Sequence, residues 1–166
     1  LVEAVDIQAG DRVLDVATGS GNAAIAAARR NASVVGVDYV PALLERGRVR
    51  AQAEYLDVEF ITGDAEDLPV ATESFDMVTS VFGAMFASDH QRAADELVRA
   101  CRPNGKIALA SWTPKGYIGE MFDIFTRFIP PAPGAQSPMR WGDPETIQEL
   151  FGAGAGTDAF FVAFRI

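Results

Sequence analysis

The chain has 166 residues, of which 49% are apolar and 22% are charged, with a formal net charge of −9. This composition is typical of a globular domain and excludes disordered, collagen-like and coiled-coil chains, and the charge disfavours nucleic acids and anionic membranes as partners. One cysteine, Cys101, allows no internal disulfide and no cysteine-based zinc site. We therefore expect no metal site and a reducing, cytoplasmic compartment. No apolar run reaches the roughly 18 residues that span a bilayer, no secretory leader is visible, and the start at Leu1 leaves open whether residues precede it.

Short apolar runs alternate with helical patterns along the chain. The first half predicts, in order, a strand at residues 12–16, a helix at 21–30, a strand at 33–37, a helix at 41–55, and strands at 58–62 and 75–81. The first helix is rich in alanine and ends in two arginines, which the dipole at a helix C-terminus favours. Pro41 suits the first turn of the second helix because no amide donor is needed there.

The second half of the chain contains recognisable helix start and stop signals. Ser88-x-x-Gln91 is a capping box that predicts a helix at residues 89–101, and Pro103-Asn104-Gly105 ends it because Asn and Gly adopt left-handed backbone conformations. The elements predicted after it are a strand at 106–111, a helix at 116–129, a proline-rich loop at 130–138, a short helix from 143 to near 152, and a strand at 159–166.

Strands that alternate with helices indicate a doubly wound α/β fold, with a mostly parallel sheet and helices on both faces. The length fits one domain over residues 1–166. In such sheets, ligands bind outside the carboxyl ends of the strands, at the point where the strand order reverses. The residues that directly follow the predicted strands are therefore the candidates for a binding site.

A glycine turn and an acid follow the first two predicted strands. The turn is Asp15-Val16-Ala17-Thr18-Gly19-Ser20-Gly21, whose glycines permit a sharp bend and close approach of a ligand. Asp38 follows the second strand, where a carboxylate accepts hydrogen bonds from both hydroxyls of a ribose. The plain alternatives are a tight strand-to-helix turn and an acid favoured at a helix N-terminus. Together, the turn and the acid indicate an adenosine-type ligand.

The third and fourth predicted strands are followed by a further acid and an apolar run. Asp64 lies at the third strand's carboxyl end, where it can accept a hydrogen bond from an exocyclic amine; the alternative is an ordinary turn acid. Residues 81–86 are apolar and aromatic, so they either floor a pocket or belong to the core. We expect Asp38 and Asp64 to reach the two ends of one nucleoside beside the glycine turn.

Five segments share the order and spacing of a known family: residues 13–22 (VLDVATGSGN), 35–38 (VGVD), 60–68 (FITGDAEDL), 75–81 (FDMVTSV) and 102–107 (RPNGKI). Over residues 1–113 the chain resembles class I S-adenosylmethionine-dependent methyltransferases, in particular the small-molecule branch that includes ubiquinone and menaquinone biosynthesis enzymes. The resemblance implies a Rossmann-like fold, S-adenosylmethionine as cofactor and S-adenosylhomocysteine as product.

The chain departs from this family at two places. Asn104 stands where the family usually has glycine, which the turn tolerates because Asn also adopts the left-handed conformation. The family's sheet ends in an antiparallel hairpin of two strands, whereas the part after Gly152 has room for one strand. We therefore expect an incomplete antiparallel edge, and the sequence leaves open whether residues are missing between Gly152 and Ala159.

The resemblance implies that the matching residues bind the cofactor; they are Asp15, Ala17, Thr18, Gly19, Ser20, Gly21, Asp38, Tyr39, Asp64, Ala65, Val81 and Phe82. The glycine loop would surround the methionine end, with Asp15 ordering that loop from the strand. Asp38 would hold the ribose, and Tyr39 would lie against the adenine, whose edge Asp64 and Ala65 would recognise. The two residues after the fourth strand would pack near the sulfonium.

The acceptor of the methyl group is expected to be a small, apolar or planar molecule. Residues 1–111 would form the cofactor half and residues 112–166 the wall that faces the acceptor, because aromatic residues and prolines are frequent over 112–141. Phe122 and Phe125 are expected to pack in the core. Methyl transfer is an in-line displacement, in which the protein mainly aligns the two reactants.

The sequence assigns no catalytic base. His90 is the only histidine, and it and Asp89 are expected to be exposed residues of a helix's first turn. Tyr117 is expected to be an aromatic residue packed on the domain at a helix start. None of these three residues stands in a motif that identifies a general base.

Two other functions remain open at this level. A nicotinamide-dependent oxidoreductase shares the glycine turn and the acid after the second strand, but the pairing of a tyrosine with a lysine four residues later is absent. A module that binds S-adenosylmethionine without turnover is the second alternative. The expected partners are a small-molecule acceptor, with no nucleic acid and no membrane span, and a homodimer is left open.

Overall fold

The computed structural model describes residues 1–131, 134–152 and 161–164 of the chain. Six strands form one sheet: β1 (Arg12–Val16), β2 (Ser33–Asp38), β3 (Val58–Thr62), β4 (Phe75–Val81), β5 (Cys101–Ala110) and β6 (Phe161–Phe164). Their order across the sheet is β3-β2-β1-β4-β5-β6, and every pairing is parallel. The strand order reverses between β1 and β4, so the doubly wound α/β prediction is confirmed.

In the part of the chain that the structure describes, the helices are α1 (Asn22–Ala28), α2 (Pro41–Ala53), α3 (His90–Ala100), α4 (Tyr117–Phe128) and α5 (Pro144–Gly152). Short 3-10 turns occupy Ala84–Phe86 and Pro138–Gly142. No helix within the described ranges has the length and apolar character needed to cross a membrane. Most predicted bounds agree with the structure to within two residues, because the apolar runs and turn residues mark them directly.

Apolar side chains cover both faces of the sheet. Leu14 and Val16 of β1 belong to the cluster that includes residues of α3 and α5, whereas Val13 belongs to the cluster that includes residues of α1 and α2. This alternation follows from the two-residue repeat of a strand. A strand that is buried on both faces leaves only its ends for polar function, and its carboxyl end is where the candidate site lies.

The expected antiparallel edge is not what the structure shows. Ile107 to Ala110 of β5 pair with Phe161 to Phe164 of β6 in parallel register, so one strand completes the described sheet without an antiparallel partner. The apolar run predicts a strand but carries no information on its direction, because direction depends on where the preceding segment travels. Positions 159–160 and 165–166 of the predicted strand lie outside the described residues.

β5 begins earlier than predicted and contains a bulge. Cys101 pairs with Phe75, but the next pair joins Lys106 to Met77, so residues 102–105 bulge out of the ladder. Asn104 has a left-handed backbone with φ of 62°, as its substitution for glycine predicts. Cys101 is buried, and burial raises the pKa of its thiol to about 11, so it stays protonated at neutral pH.

Candidate cofactor-binding site

One cleft of about 330 Å³ lies across the carboxyl ends of β1 to β4. Its lining comes from Ala17 after β1, from Asp38 and Tyr39 after β2, from residues 63–66 after β3, and from residues 83 and 86–88 after β4. The cleft therefore sits at the reversal of strand order, where doubly wound folds bind ligands.

The glycine turn after β1 has the sharp geometry that its sequence predicts. Gly19 and Gly21 have φ of 58° and 82°, a region that glycine enters without steric cost. A side chain at Gly21 would also come within 2.9 Å of the Phe60 ring. The Gly21 amide donates to the Thr18 carbonyl at 2.9 Å, so the chain turns directly into α1.

Asp15 stabilises this turn from inside the protein. Its carboxylate accepts hydrogen bonds from the Thr18 hydroxyl at 2.6 Å, the Thr79 hydroxyl at 2.7 Å and the Ala24 amide at 3.2 Å. Burial raises the pKa of Asp15, although these hydrogen bonds favour the charged form. Asp15 does not belong to the cleft lining, so its hydrogen bonds order the loop rather than the cleft surface, and a role in cofactor binding stays a prediction.

Asp38 joins the glycine turn to the cleft. It is only 6% exposed; one carboxylate oxygen accepts from the Gly19 amide at 2.8 Å and the other from the Val40 amide at 2.9 Å. A carboxylate offers about four acceptor positions, so each oxygen retains capacity for one ligand hydroxyl. The two backbone amides fix the orientation in which the carboxylate meets a ligand.

Asp64 lines the same cleft as Asp38. It is exposed, and its carboxylate accepts a hydrogen bond from the Glu66 amide at 2.9 Å, which forms an Asx turn. The structure thus brings together the two acids that the sequence placed after different strands. Tyr39, which is 73% exposed, and Ala65 border the cleft beside them.

The remaining predicted site residues lie behind or beside the cleft. Phe82 stacks on Trp112 with ring centroids 4.1 Å apart and an angle of 16° between the rings, and neither Phe82 nor Val81 lines the cleft. Ser20 faces α2, where the Arg50 guanidinium donates to its carbonyl at 2.7 Å. Thr18, Gly19 and Gly21 are likewise outside the lining, and cofactor contact stays a prediction for every residue of the predicted site.

Glu66 is a site residue that the sequence reasoning missed. It lines the cleft, and one carboxylate oxygen accepts from the Ser88 amide at 2.6 Å and from the Asp89 amide at 2.9 Å. The carboxylate thereby ties the loop after β3 to the start of α3, where the helix dipole favours negative charge. The run Asp64-Ala65-Glu66-Asp67 is the only signal in the sequence that could have pointed to it.

The predicted capping box is wrong. Asp89, rather than Ser88, is the N-cap of α3, because its side chain accepts from the Arg92 amide at 3.0 Å. The Gln91 side chain instead donates to Asp95 and to the Leu150 carbonyl, both at 2.9 Å. The fourth residue counted from the observed cap is Arg92, so no capping box forms there, and the Glu66 carboxylate accepts from the amide of Ser88 instead.

A close contact between two loops was also missed. Ala17 and Phe82, which follow the neighbouring strands β1 and β4, have φ of 54° and 56°, a region that costs residues with side chains of order 1 kcal/mol or more. Gly83 packs so closely that a side chain there would overlap the Ala17 side chain and lie 2.9 Å from its carbonyl oxygen. Both Ala17 and Gly83 line the cleft, so this contact sets its shape.

His90 is buried, so its predicted exposure is wrong. The side chain is 1% exposed and packs edge-on against Trp141, with ring centroids 5.8 Å apart. Within the described residues, neither ring nitrogen has a hydrogen-bond partner. Burial lowers the pKa of His90 and the charge of Arg140 lowers it further, although nearby acids oppose this shift. The ring is therefore neutral at neutral pH.

This burial predicts that the protein loses stability as the pH falls through about 6.5, the ordinary pKa of histidine. The unfolded chain then takes up a proton that the folded state resists, which costs up to about 1.4 kcal/mol for each pH unit below that value until the folded ring is protonated. Urea unfolding at pH values above and below 6.5 measures the difference. In His90→Leu the part of this difference due to the ring should disappear, and an unchanged difference would contradict the assignment.

The aromatic residues of α4 differ from expectation in part. Phe122 is half-buried against the core, as predicted, but Phe125 is 52% and Tyr117 is 81% exposed. Phe86, which lines the cleft, lies 6.4 Å from Phe122 between ring centroids. Residues 112–166, which were predicted to face an acceptor, thus reach the edge of the cleft through the contact of Phe122 with Phe86.

The charge of the cleft selects among nucleoside ligands. The described residues that line it include three carboxylates, Asp38, Asp64 and Glu66, and no lysine, arginine or histidine. An anionic pyrophosphate would be repelled there, whereas a nucleoside that carries a sulfonium and an ammonium is attracted. The glycine turn, the buried acid after β2 and this charge together fit S-adenosylmethionine.

The fold and site define an α/β domain that binds a cationic nucleoside at the reversal of strand order. Residues 13–105 match the family described as methyltransferase domain, and the chain belongs to this family. The predicted membership in class I S-adenosylmethionine-dependent methyltransferases, in the menaquinone-like branch, is confirmed, and S-adenosylmethionine is the cofactor of this class.

Three similar proteins illustrate this membership. An uncharacterised protein of Mycobacterium tuberculosis is 44% identical over 152 residues, which cover 91% of this chain and 56% of that protein. A demethylmenaquinone methyltransferase of Deinococcus radiodurans is 38% identical over 86% of this chain and 66% of that enzyme. The solved structure of YcgJ from Bacillus subtilis matches with a TM-score of 0.73 at 26% identity, over 92% of this chain and 64% of that chain. The chain thus spans between about half and two thirds of the length of these proteins.

Proposed function

We propose that the protein transfers the methyl group of S-adenosylmethionine to a small, apolar or planar acceptor. The observation that carries this proposal is the convergence of Asp38 and Asp64 on one acidic cleft beside the glycine turn. Asp38 binds the ribose hydroxyls, Asp64 and Ala65 bind the adenine edge, and Tyr39 covers the ring. The turn from Ala17 to Gly21 surrounds the methionine end, in the orientation that Asp15 imposes.

The cofactor supplies an electrophilic methyl group on a positively charged sulfur. The task of the chain is therefore to hold the nucleoside and the acceptor in line, and alignment alone contributes up to roughly 7–11 kcal/mol in favourable cases. Two features support such alignment here. Backbone amides fix the Asp38 carboxylate, and Glu66 connects the loop after β3 to α3.

The acceptor side of the proposal rests on the aromatic edge of the cleft. Phe86 and Phe122 form a tilted pair there, and an apolar, aromatic wall favours an apolar or planar molecule over a charged one. The similarity to a demethylmenaquinone methyltransferase supports the same acceptor class. No side chain is assigned as a base, because His90 is outside the lining and Tyr117 is exposed.

The setting that we propose is the cytoplasm. The only cysteine, Cys101, is buried and uncharged at neutral pH, which suits a reducing compartment where disulfides are rare. A small-molecule acceptor needs no basic surface, and the excess of 23 acidic over 14 basic residues disfavours nucleic-acid binding.

The first test is ligand choice. Thermal unfolding and calorimetry should show stabilisation and binding by S-adenosylmethionine and S-adenosylhomocysteine but not by nicotinamide dinucleotides, because the acidic cleft repels a pyrophosphate. The opposite preference would overturn the proposal in favour of an oxidoreductase.

The second test is turnover. Incubation with S-adenosylmethionine labelled in the methyl group and a panel of hydroquinones, phenols and amines should release S-adenosylhomocysteine and label one acceptor class. Charged amines as the only substrates would contradict the apolar acceptor. Binding without any turnover across the panel would leave a binding module as the function of this chain.

A further inference from the structure

α4 presents an apolar stripe of Tyr117, Met121, Ile124 and Phe128, of which only Met121 is partly buried by the described chain. Its only buried residue is Gly119, whereas Tyr117, Ile124 and Phe128 are 81%, 52% and 79% exposed. Isolated helices of about 12 residues are marginal in water, and packing of an apolar face usually supplies their stability. Large exposed apolar patches on soluble proteins commonly mark interaction surfaces.

The stripe has the spacing of a helix-pairing seam. Tyr117, Met121, Ile124 and Phe128 are separated by four, three and four residues, which is the repeat of two helices that pack side by side. The midpoint between Tyr117 and Phe128 along the helix is also the midpoint between Met121 and Ile124. A two-fold axis through that midpoint therefore places Tyr117 against Phe128 of a second copy, and Met121 against its Ile124.

The charges beside the stripe are complementary under the same axis. Glu120 and Arg127 are exposed, lie two helical turns apart on one side of the stripe, and make no ion pair among the described residues. In an antiparallel pair this side of one helix meets the same side of the other, so Glu120 reaches Arg127 of the second copy. In a parallel pair both charges would face the apolar side that carries Ile118 and Phe125.

We propose that α4 is the interface of a symmetric homodimer, in which the helix pairs antiparallel with α4 of a second copy. The occupant of the stripe is this chain itself, because both its apolar spacing and its charges are complementary to their own two-fold copy. An isologous contact of this kind closes as a dimer rather than growing into a filament. The inference does not depend on methyl transfer.

The test is sedimentation velocity at micromolar to sub-millimolar concentrations. The chain should be a dimer, and Ile124→Glu should raise the dimer dissociation constant by roughly tenfold or more, because a charge enters the apolar seam. Val49→Glu is the matched control, since Val49 is a 58% exposed apolar residue on α2 and should leave the dimer unchanged. A monomer at all concentrations, or a dimer insensitive to Ile124→Glu, would overturn the proposal.

Charge reversal tests the antiparallel arrangement with variants that leave the apolar stripe intact. Glu120→Arg and Arg127→Glu should each weaken the dimer, and the double variant Glu120→Arg/Arg127→Glu should restore it, because the reversed charges meet again. Circular dichroism checks that each variant is folded. Single reversals without effect, or a double variant no stronger than either single one, would overturn the arrangement even if Ile124→Glu proved too unstable to interpret.

Discussion

Asp38→Ala should weaken the binding of S-adenosylmethionine by roughly 10- to 100-fold, because hydrogen bonds to a charged group contribute about 1.5–3 kcal/mol. The carboxylate is 6% exposed and is already oriented by the amides of Gly19 and Val40. A ligand ribose therefore gains these hydrogen bonds without having to order the side chain. Isothermal titration calorimetry on the folded Asp38→Ala variant measures this loss of affinity.

The same variant also removes the acceptor of the Gly19 amide, so loss of affinity alone would not separate ribose binding from loop order. Competition by adenosine and by 2′-deoxyadenosine makes the distinction. The native protein should prefer adenosine, and Asp38→Ala should lose that preference, because only a group that touches the ribose senses the missing hydroxyl. Asp57→Ala, which removes an exposed acid after α2, serves as the control. A preference that survives in Asp38→Ala would end the ribose assignment.

Those parts of the fold that depend on local sequence patterns could be predicted from the sequence. Alternating apolar runs, Pro41 at a helix start and Asn104 in a left-handed turn each have a local physical cause, and the structure agrees with them. The convergence of Asp38 and Asp64 also followed, because the carboxyl ends of parallel strands meet at one edge. These features require only the residue pattern and the rules for parallel sheets.

Features that depend on contacts between distant segments did not follow from the sequence. His90 is buried because the turn Pro138–Gly142 places Trp141 against it. The residues near His90 in the sequence give no sign of this distant contact. Glu66 contacts α3 across 22 residues of chain. The direction of β6 depends on the path of the segment before it. Tyr117 and Phe125 have the helical spacing of core residues, but spacing fixes which residues share a face and not whether that face is covered.

Gly83→Ala should both destabilise the protein and reduce its affinity for S-adenosylmethionine. The new methyl group would overlap the Ala17 side chain and press on its carbonyl oxygen, and overpacking of this kind typically costs about 1–3 kcal/mol. Gly83 has φ of −110°, so the substitution introduces no backbone strain and its effect is purely steric. Because both residues line the cleft, the displaced loops should also lower the affinity by roughly tenfold, which corresponds to about 1.4 kcal/mol of binding free energy.

Ala17→Gly provides the compensating change, because it removes the overlapping methyl group and relieves a backbone held at φ of 54°. The double variant Ala17→Gly/Gly83→Ala should therefore recover most of the stability and binding that Gly83→Ala loses, with a coupling of about 0.5–3 kcal/mol between the two sites. Gly152→Ala is the matched control, since among the described residues a side chain there meets no atom closer than 3.9 Å. Additive effects of the two substitutions in urea unfolding would show that the loops after β1 and β4 do not meet as described, and the shape of the cleft would then need another cause.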